Sequence, residues 1–340
     1  MTEIVEIDGS YEEGGGQILR VALSLSAILR KPFVISNIRA GREKPGLLPQ
    51  HLMGVRAMAE ITNAEVGGAS IGSRELNFSP NEVVSGDYLF DIGTAGSITL
   101  LAQSLVPALL LAKNKSTLRL KGGTHVMWSP TIDYYRSVFT PLVSRFGANI
   151  STFVDSFGWY PRGGGSVTID VSPSRLGGVE LVEKGLLYGI KGECALSNLK
   201  EDIADRQITA AREILPDAAI SKSILPSQSP GTALTLWAEF QGTLVGSSAL
   251  GKIGLKAEDL GGAVALELKK SMSSPATVDR WMSDQLLVFM ALANGKSSII
   301  VPELTPHMKS CLWLIPKFTN VPFDMEGSRV SVKGIGEQLG

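Results

Sequence analysis

One order of segments, strand-helix-strand-helix-strand-strand, runs three times along the 340-residue chain, and it limits the possible folds more than any other feature. The first unit predicts a strand near 4–7, a helix over 17–29 and a strand over 33–38. A helix over 49–61 and strands at 64–66 and 75–78 close it. The second predicts a strand at 88–92, an apolar helix at 97–112, a strand at 117–120 and a helix at 131–146. Strands at 149–154 and 166–171 follow, joined by a glycine-rich turn at 158–165. The third begins with a strand at 179–182 and resumes with a helix over 278–293 and a strand at 298–301. A helix over 307–318 and strands at 322–325 and 330–332 complete it. Between the two parts, residues 184–275 carry their own strands (233–240 and 244–249 among them) and helices (200–215, 256–272). They predict a smaller α/β domain inserted in a large one formed by 1–183 and 276–340. Alternating strands and helices argue for α/β layers. The paired strands that end each unit argue against a plain doubly wound sheet, since strands joined by a short turn are usually antiparallel.

Composition narrows the function. A net charge of −1 excludes a general polybasic nucleic-acid coat, though not a local basic pocket. Two distant cysteines, Cys194 and Cys311, make neither a disulfide framework nor a zinc ribbon and suit a reducing, cytoplasmic setting. The acidic start MTEIVEIDGS has no apolar core of a secretory signal. The apolar run 97–112 is too short for a bilayer, so no membrane role is expected.

The only three histidines, His51, His125 and His307, each fall between the second strand and the early second helix of a unit. A helix start offers unpaired N–H groups and the positive end of the dipole to a ligand. Five segments then compete as sites. Glu12-Glu13-Gly14-Gly15-Gly16-Gln17 precedes a helix, with Arg20 one turn in; three glycines let backbone N–H groups approach an anion, and Glu13 could hold a cation. A tight turn with a capping acid explains it equally well. It is not a Walker A loop, because no Gly-Lys-Ser/Thr follows. The loop from Arg39 through Arg42 and Lys44 to Gln50 and His51 is cationic and stiffened by proline, which suits a phosphate-bearing end better than a merely solvated loop. Gln103, with Gly122-Gly123-Thr124-His125 and Pro130, reads as a satisfied core glutamine or as part of a nucleotide pocket. Trp281 and Asp284, three apart on a helix, share a face that could hold a nucleoside, although a core tryptophan beside a surface acid is the commoner case. His307, after Pro306, stands at a helix entry. No Ser-His-Asp pattern or His/Cys metal spacing is present.

Taken together, EGGGQILR, the loop Arg39 to Leu52 (RAxRxKPGLxxQHL), GGT with a following proline, SDQLL and the late histidine resemble the RNA 3′-terminal phosphate cyclase family in order and spacing, over essentially the whole chain. The resemblance implies a large domain of three β-α-β-α-β-β units, like the C-terminal domain of translation initiation factor three, with a thioredoxin-like insert. It implies ATP-dependent conversion of an RNA 3′-phosphate to a 2′,3′-cyclic phosphodiester through a histidine–AMP adduct and an RNA adenylate. On that basis His307 is expected to be the nucleophile and Glu13 a ligand of a divalent metal (Mg or Mn). Arg20, Arg39, Arg42, Gln50 and His51 are expected at the phosphate and RNA end. Gln103, Pro130, Trp281, Met282, Ser283, Asp284 and Gln285 are expected at ATP. RNA with a 3′-phosphate is the expected partner, and a homodimer is allowed. Two rivals stand beside this reading. One is a non-catalytic cyclase-like protein of ribosomal RNA processing, which lacks the nucleophilic histidine. The other is an enolpyruvyl transferase, which needs no adenine platform.

Overall fold

Along Val5–Asp8 (β1), apolar and acidic side chains alternate between core and solvent, as a strand with one covered face requires. The computed structural model describes residues 3–12 and 14–338. After β1, the first unit contains α1 (Gly16–Leu29), β2 (Phe33–Ser36), α2 (Pro49–Thr62), β3 (Glu65–Gly67) and β4 (Leu76–Ser79). The second contains β5 (Asp87–Asp91), α3 (Ile98–Leu110), β6 (Ser116–Gly122), α4 (Ile132–Tyr134), a π-helical stretch Tyr135–Phe139, α5 (Thr140–Ser144), β7 (Asn149–Ser156) and β8 (Gly165–Ser172). The third opens with β9 (Glu180–Leu181). The inserted segment follows as β10 (Leu187–Ser197), α6 (Asp202–Ile214), β11 (Ala219–Ile224), β12 (Gly231–Phe240), β13 (Leu244–Leu250) and α7 (Ala257–Ser273). Then come α8 (Met282–Leu292), β14 (Asn294–Ile300), α9 (Pro306–Thr319), β15 (Asp324–Glu326) and β16 (Arg329–Ile335).

The molecule is a mixed α/β protein of four small mixed sheets, ordered β1-β2-β4-β3, β5-β6-β8-β7, β9-β14-β16-β15 and β11-β10-β12-β13. In the first three, the opening strand runs parallel to the second, and the last two strands pair antiparallel. The helices of these three sheets pack on one another: α1 touches α2, α3 and α9, and α8 touches α9. Their apolar faces merge into one core that includes Leu23, Leu105 and Leu314. The β10–β13 sheet, with α6 and α7, has a separate core around Leu234, Leu236 and Leu268.

The two ends of the insert are fastened together. Lys184 Nζ donates to the carbonyls of Ser271, Met272 and Ser274 (2.6, 2.9 and 2.6 Å), where α7 ends and its carbonyls lack partners. Thr277 Oγ1 donates to Leu181 O at 2.6 Å.

Two helices depart from the sequence expectation. The one expected over 131–146 passes through the π-helical stretch before Pro141. A proline has no N–H for the carbonyl one turn back, and a wider turn lets the ladder absorb that loss. The one expected from 278 starts at Met282. The Asp279 carboxylate instead accepts from the backbone N–H groups of Trp281 and Met282 (2.9 and 3.1 Å) and from the Tyr134 hydroxyl (2.7 Å). Its other oxygen accepts from Gly246 N at 2.9 Å, so this buried acid joins the second unit, the insert and α8. No helix among the described residues is long and apolar enough to cross a membrane.

Candidate functional site

The starts of α1, α2, α8 and α9 and the flank of α3 meet around Arg20. The α1 N-cap is Gly15, which offers no side chain to the free N–H groups of the first turn. The next residue must also be glycine: a Cβ on Gly16 would lie 2.4 Å from His51 Nε2. His51 sits at the third position of α2, after Pro49, where its Nδ1 accepts the Leu48 backbone N–H at 3.2 Å. That bond places the proton of the neutral ring on Nε2, toward Gly16 and Arg20. Burial, then the charges of Arg20 and Arg39, push the His51 pKa down to about 3, so the ring is neutral across the physiological range. Gln50 reaches the turn before α3 and accepts from Ser97 N at 3.4 Å. A narrow cleft lies between α1, α2 and α3, lined by Arg20, Gln50, His51 and Ser97. Another lies on the other side of Arg20, lined by Gln17, Gln103, Asp284 and Gln285.

The start of α9 completes the site. Thr305 caps it, its hydroxyl accepting from Met308 N at 3.1 Å, and Pro306 fixes the first turn. His307 is half-buried at the next position. Burial lowers its pKa, Asp284 opposes that effect, and Arg20 and Arg42 add to it, so the imidazole is neutral at neutral pH. Asp284 moves the other way. Burial raises its carboxyl to about 6, although His307, Arg20 and Gln17 all favour the anion. Arg20 is drawn down to about 10 by burial and keeps its charge.

Gln17 and Cys311 were not picked out as site residues by the sequence. Gln17 Nε2 donates to Asp284 Oδ2 and, at 3.2 Å, to Cys311 Sγ, while its own Oε1 is buried without a hydrogen-bond partner. The available signal was spacing: Gln17 is three residues before Arg20, and Cys311 four after His307, so each pair shares a helix face.

The remaining candidates are placed unequally. Gln103 Nε2 donates to Gln285 Oε1 at 2.6 Å, and Gln285 Nε2 donates to Trp281 O at 2.6 Å. One turn earlier on α3, Thr99 holds the carbonyl of Pro130 at 2.8 Å, so Pro130 and the Gln285–Trp281 pair are one helical turn apart along α3. Trp281 is 48% exposed, with the Arg280 guanidinium over one ring face at 4.7 Å. Met282 and Ser283 are fully buried, and the Ser283 hydroxyl donates to Asp279 O, so neither side chain lines the cleft. Arg39 folds back on its own loop, donating to the carbonyls of Lys44 and Gly46. Arg42 is half-buried and acts on His307 through its charge. Glu13 lies outside the described residues. The second unit's histidine does not join the cleft. His125 is buried, with Nε2 2.8 Å from Asp133 and Nδ1 2.8 Å from the Thr124 hydroxyl.

In a mixed α/β protein, guanidinium groups, a neutral imidazole at a helix start and uncapped N–H groups are a combination suited to an anionic, phosphate-bearing ligand. The comparisons with known proteins narrow this class. The family described as RNA 3′-terminal phosphate cyclase matches residues 11–325. The protein named RNA 3′-terminal phosphate cyclase of Pyrobaculum neutrophilum is 43% identical, over 98% of this chain and 99% of that one. Its namesake in Sulfurisphaera tokodaii is 42% identical, over 96% and 97%. The chain belongs to the RNA 3′-terminal phosphate cyclase family. Among solved structures, the enolpyruvyl transferase NikO of Streptomyces tendae aligns at a TM-score of 0.43 with 10% identity, covering 99% of this chain and 49% of that one. A likeness at that level carries no argument about function.

Proposed function

We propose that this protein closes RNA 3′-phosphate ends into 2′,3′-cyclic phosphodiesters with ATP as co-substrate, and that His307 carries the AMP. The observation that supports the reading best is His307 itself. It is neutral, half-buried, at a capped helix start, and electrostatically coupled to Asp284, Arg20 and Arg42. A ring nitrogen attacks the α-phosphorus of ATP, a P–N bond forms, and the P–O bond to pyrophosphate breaks. Asp284 favours the imidazolium that the attack generates, while Arg20 and Arg42 disfavour it and attract the phosphates. The P–N bond is labile, so AMP passes to an oxygen of the RNA 3′-phosphate and His307 is regenerated. The neighbouring 2′-hydroxyl then attacks that phosphorus, loses its proton, and AMP leaves. Nucleophile and phosphorus share one ribose, so proximity supplies much of this last step. Gln103, Gln285, Trp281 and Pro130 are assigned to the nucleoside of ATP. Arg20, Arg39, Arg42, Gln50 and His51 are assigned to the RNA end.

Among the described residues, no three His, Cys, Asp or Glu side chains gather as a ready-made metal cage. The donors present suit a hard cation held mainly by phosphate oxygens. They are the Asp284 carboxylate, the unpartnered Gln17 Oε1 and, from the sequence, Glu13. Such an ion would supply charge neutralisation on the triphosphate.

Incubation with α-labelled ATP and Mg or Mn, followed by denaturation, tests the reading. The wild-type protein retains acid-labile label and His307→Asn does not, whereas His51→Asn and His125→Asn retain some. Label retained by His307→Asn removes the nucleophile assignment. Absence of both label and cyclised RNA in the wild type favours a non-catalytic protein.

A further inference from the structure

Trp128 is the most exposed aromatic side chain among the described residues, at 92%. A lone exposed tryptophan on a slack loop would need no explanation. This loop is not slack. Ile132 N donates to Thr124 O at 2.9 Å across its base, Thr99 holds the Pro130 carbonyl, and Ser129 Oγ donates to Val126 O at 3.0 Å. Trp128 is held at a φ of +65°, which bulky residues seldom adopt. The fold therefore displays the ring, with exposed Met127 beside it in sequence, on a tip ordered in advance.

A second loop has a similar character. Trp159 is buried and stacked on His125 (centroids 4.3 Å apart), while Tyr160, 78% exposed, and Arg162 stand in solvent just beyond it. The two loops share a base. His125 and Trp159 pair as a β-bridge, and a Cβ on either Gly123 or Gly163 would come within 3 Å of Ala95. The turn containing Ala95 continues to Gly96, whose Cβ would touch Gln50 at 3.0 Å, and to Ser97, which donates to Gln50. The two displayed loops thus rise from the rim of the cleft that holds Gln50, His51 and Arg20.

We propose that Trp128 and Tyr160, with Met127 and Arg162, form a landing surface for the single-stranded RNA that precedes the terminal phosphate. The inference rests on the cyclase reading, because it needs a polymer whose end occupies the cleft. Two exposed aromatic side chains on loops of one base, with exposed Arg162 two residues after Tyr160, fit a strand of stacked bases and charged phosphates. Every base has a π face, so this surface tolerates any sequence.

The test measures binding of a dinucleotide and of a decanucleotide, both ending in a 3′-phosphate, by fluorescence anisotropy. Trp128→Asn keeps a residue type that accepts positive φ but removes the stacking face. It is expected to weaken the decanucleotide roughly tenfold, the scale of one lost base–aromatic stack, and to leave the dinucleotide unchanged. Trp128→Phe restores most of the loss. Labelling of the protein by α-labelled ATP is expected at wild-type ATP concentrations in both variants. The proposal is overturned if Trp128→Asn leaves decanucleotide affinity intact, if it weakens both RNAs equally, or if it raises the ATP requirement, which would place Trp128 on the nucleotide. A wild-type protein that binds neither RNA overturns the cyclase reading and this inference with it.

Discussion

Replacing Asp284 by asparagine should remove a loss of stability with rising pH whose direction is set by burial. Burial lifts the Asp284 carboxyl from its ordinary 3.8 to about 6. A carboxyl whose pKa rises on folding keeps its proton longer in the folded chain than in the unfolded one. Below about pH 4 neither state is ionised and folding carries no penalty. Between about pH 4 and about pH 6 the unfolded chain ionises first, so stability falls, and above that window the whole penalty is present. The shift of about two units corresponds to roughly 2–3 kcal/mol. The Asp284→Asn protein escapes this penalty and still presents an oxygen to Gln17 Nε2. His307 adds to the trend, because without the carboxylate that raises its pKa it resists protonation more strongly, which costs stability in acid. Urea unfolding of both proteins at about pH 4 and about pH 8 measures the effect, and comparing the two conditions cancels whatever the substitution does independently of pH. The variant should gain roughly 2–3 kcal/mol relative to wild type between the two. It should also form the AMP adduct more slowly, since it no longer favours the imidazolium. A stability difference that does not change with pH, or that moves against the variant as pH rises, would refute the picture of a desolvated carboxylate coupled to His307.

Gly16→Ala places a methyl 2.4 Å from His51 Nε2, so the His51 ring must move, and 3.3 Å from Arg20 Nη1, a tight contact. We expect a loss of about 1–3 kcal/mol in unfolding free energy with slowed RNA closure; wild-type behaviour in both would mean the cleft is looser than described. Trp281→Ala should raise the ATP concentration needed for self-adenylylation about tenfold, one base–aromatic stack, and an unchanged ATP titration removes Trp281 from the nucleoside site. His125→Ala strips a buried partner from Asp133 and should destabilise by roughly 3 kcal/mol. The fraction that stays folded should still label with ATP, and loss of label at full folding would give His125 a catalytic part.

The order of elements was legible in the sequence because strands and helices announce themselves over a few residues, through the period of their apolar positions and the residues that start them. Pro49 and Pro306, each ahead of a histidine, mark the starts of α2 and α9. The threefold placement of His51, His125 and His307 was visible too, but not their fates. His51 lines the cleft, His307 lies within reach of the charges of Arg20 and Asp284, and His125 is sealed against Asp133 and Trp159. Local signals also failed at Asp279, which sits within a helical pattern yet is recruited by Tyr134 and Gly246 from distant parts of the chain. Arg39 reads as a ligand-binding cation and partly fastens its own loop. Gln17, Asp284 and Cys311 lie 267 and 294 positions apart by their two hydrogen bonds, a separation no window of sequence can bridge. The pKa values of Asp284 and His307 follow from how much water the packed helices exclude and which charges they bring near, and only the tertiary structure decides both.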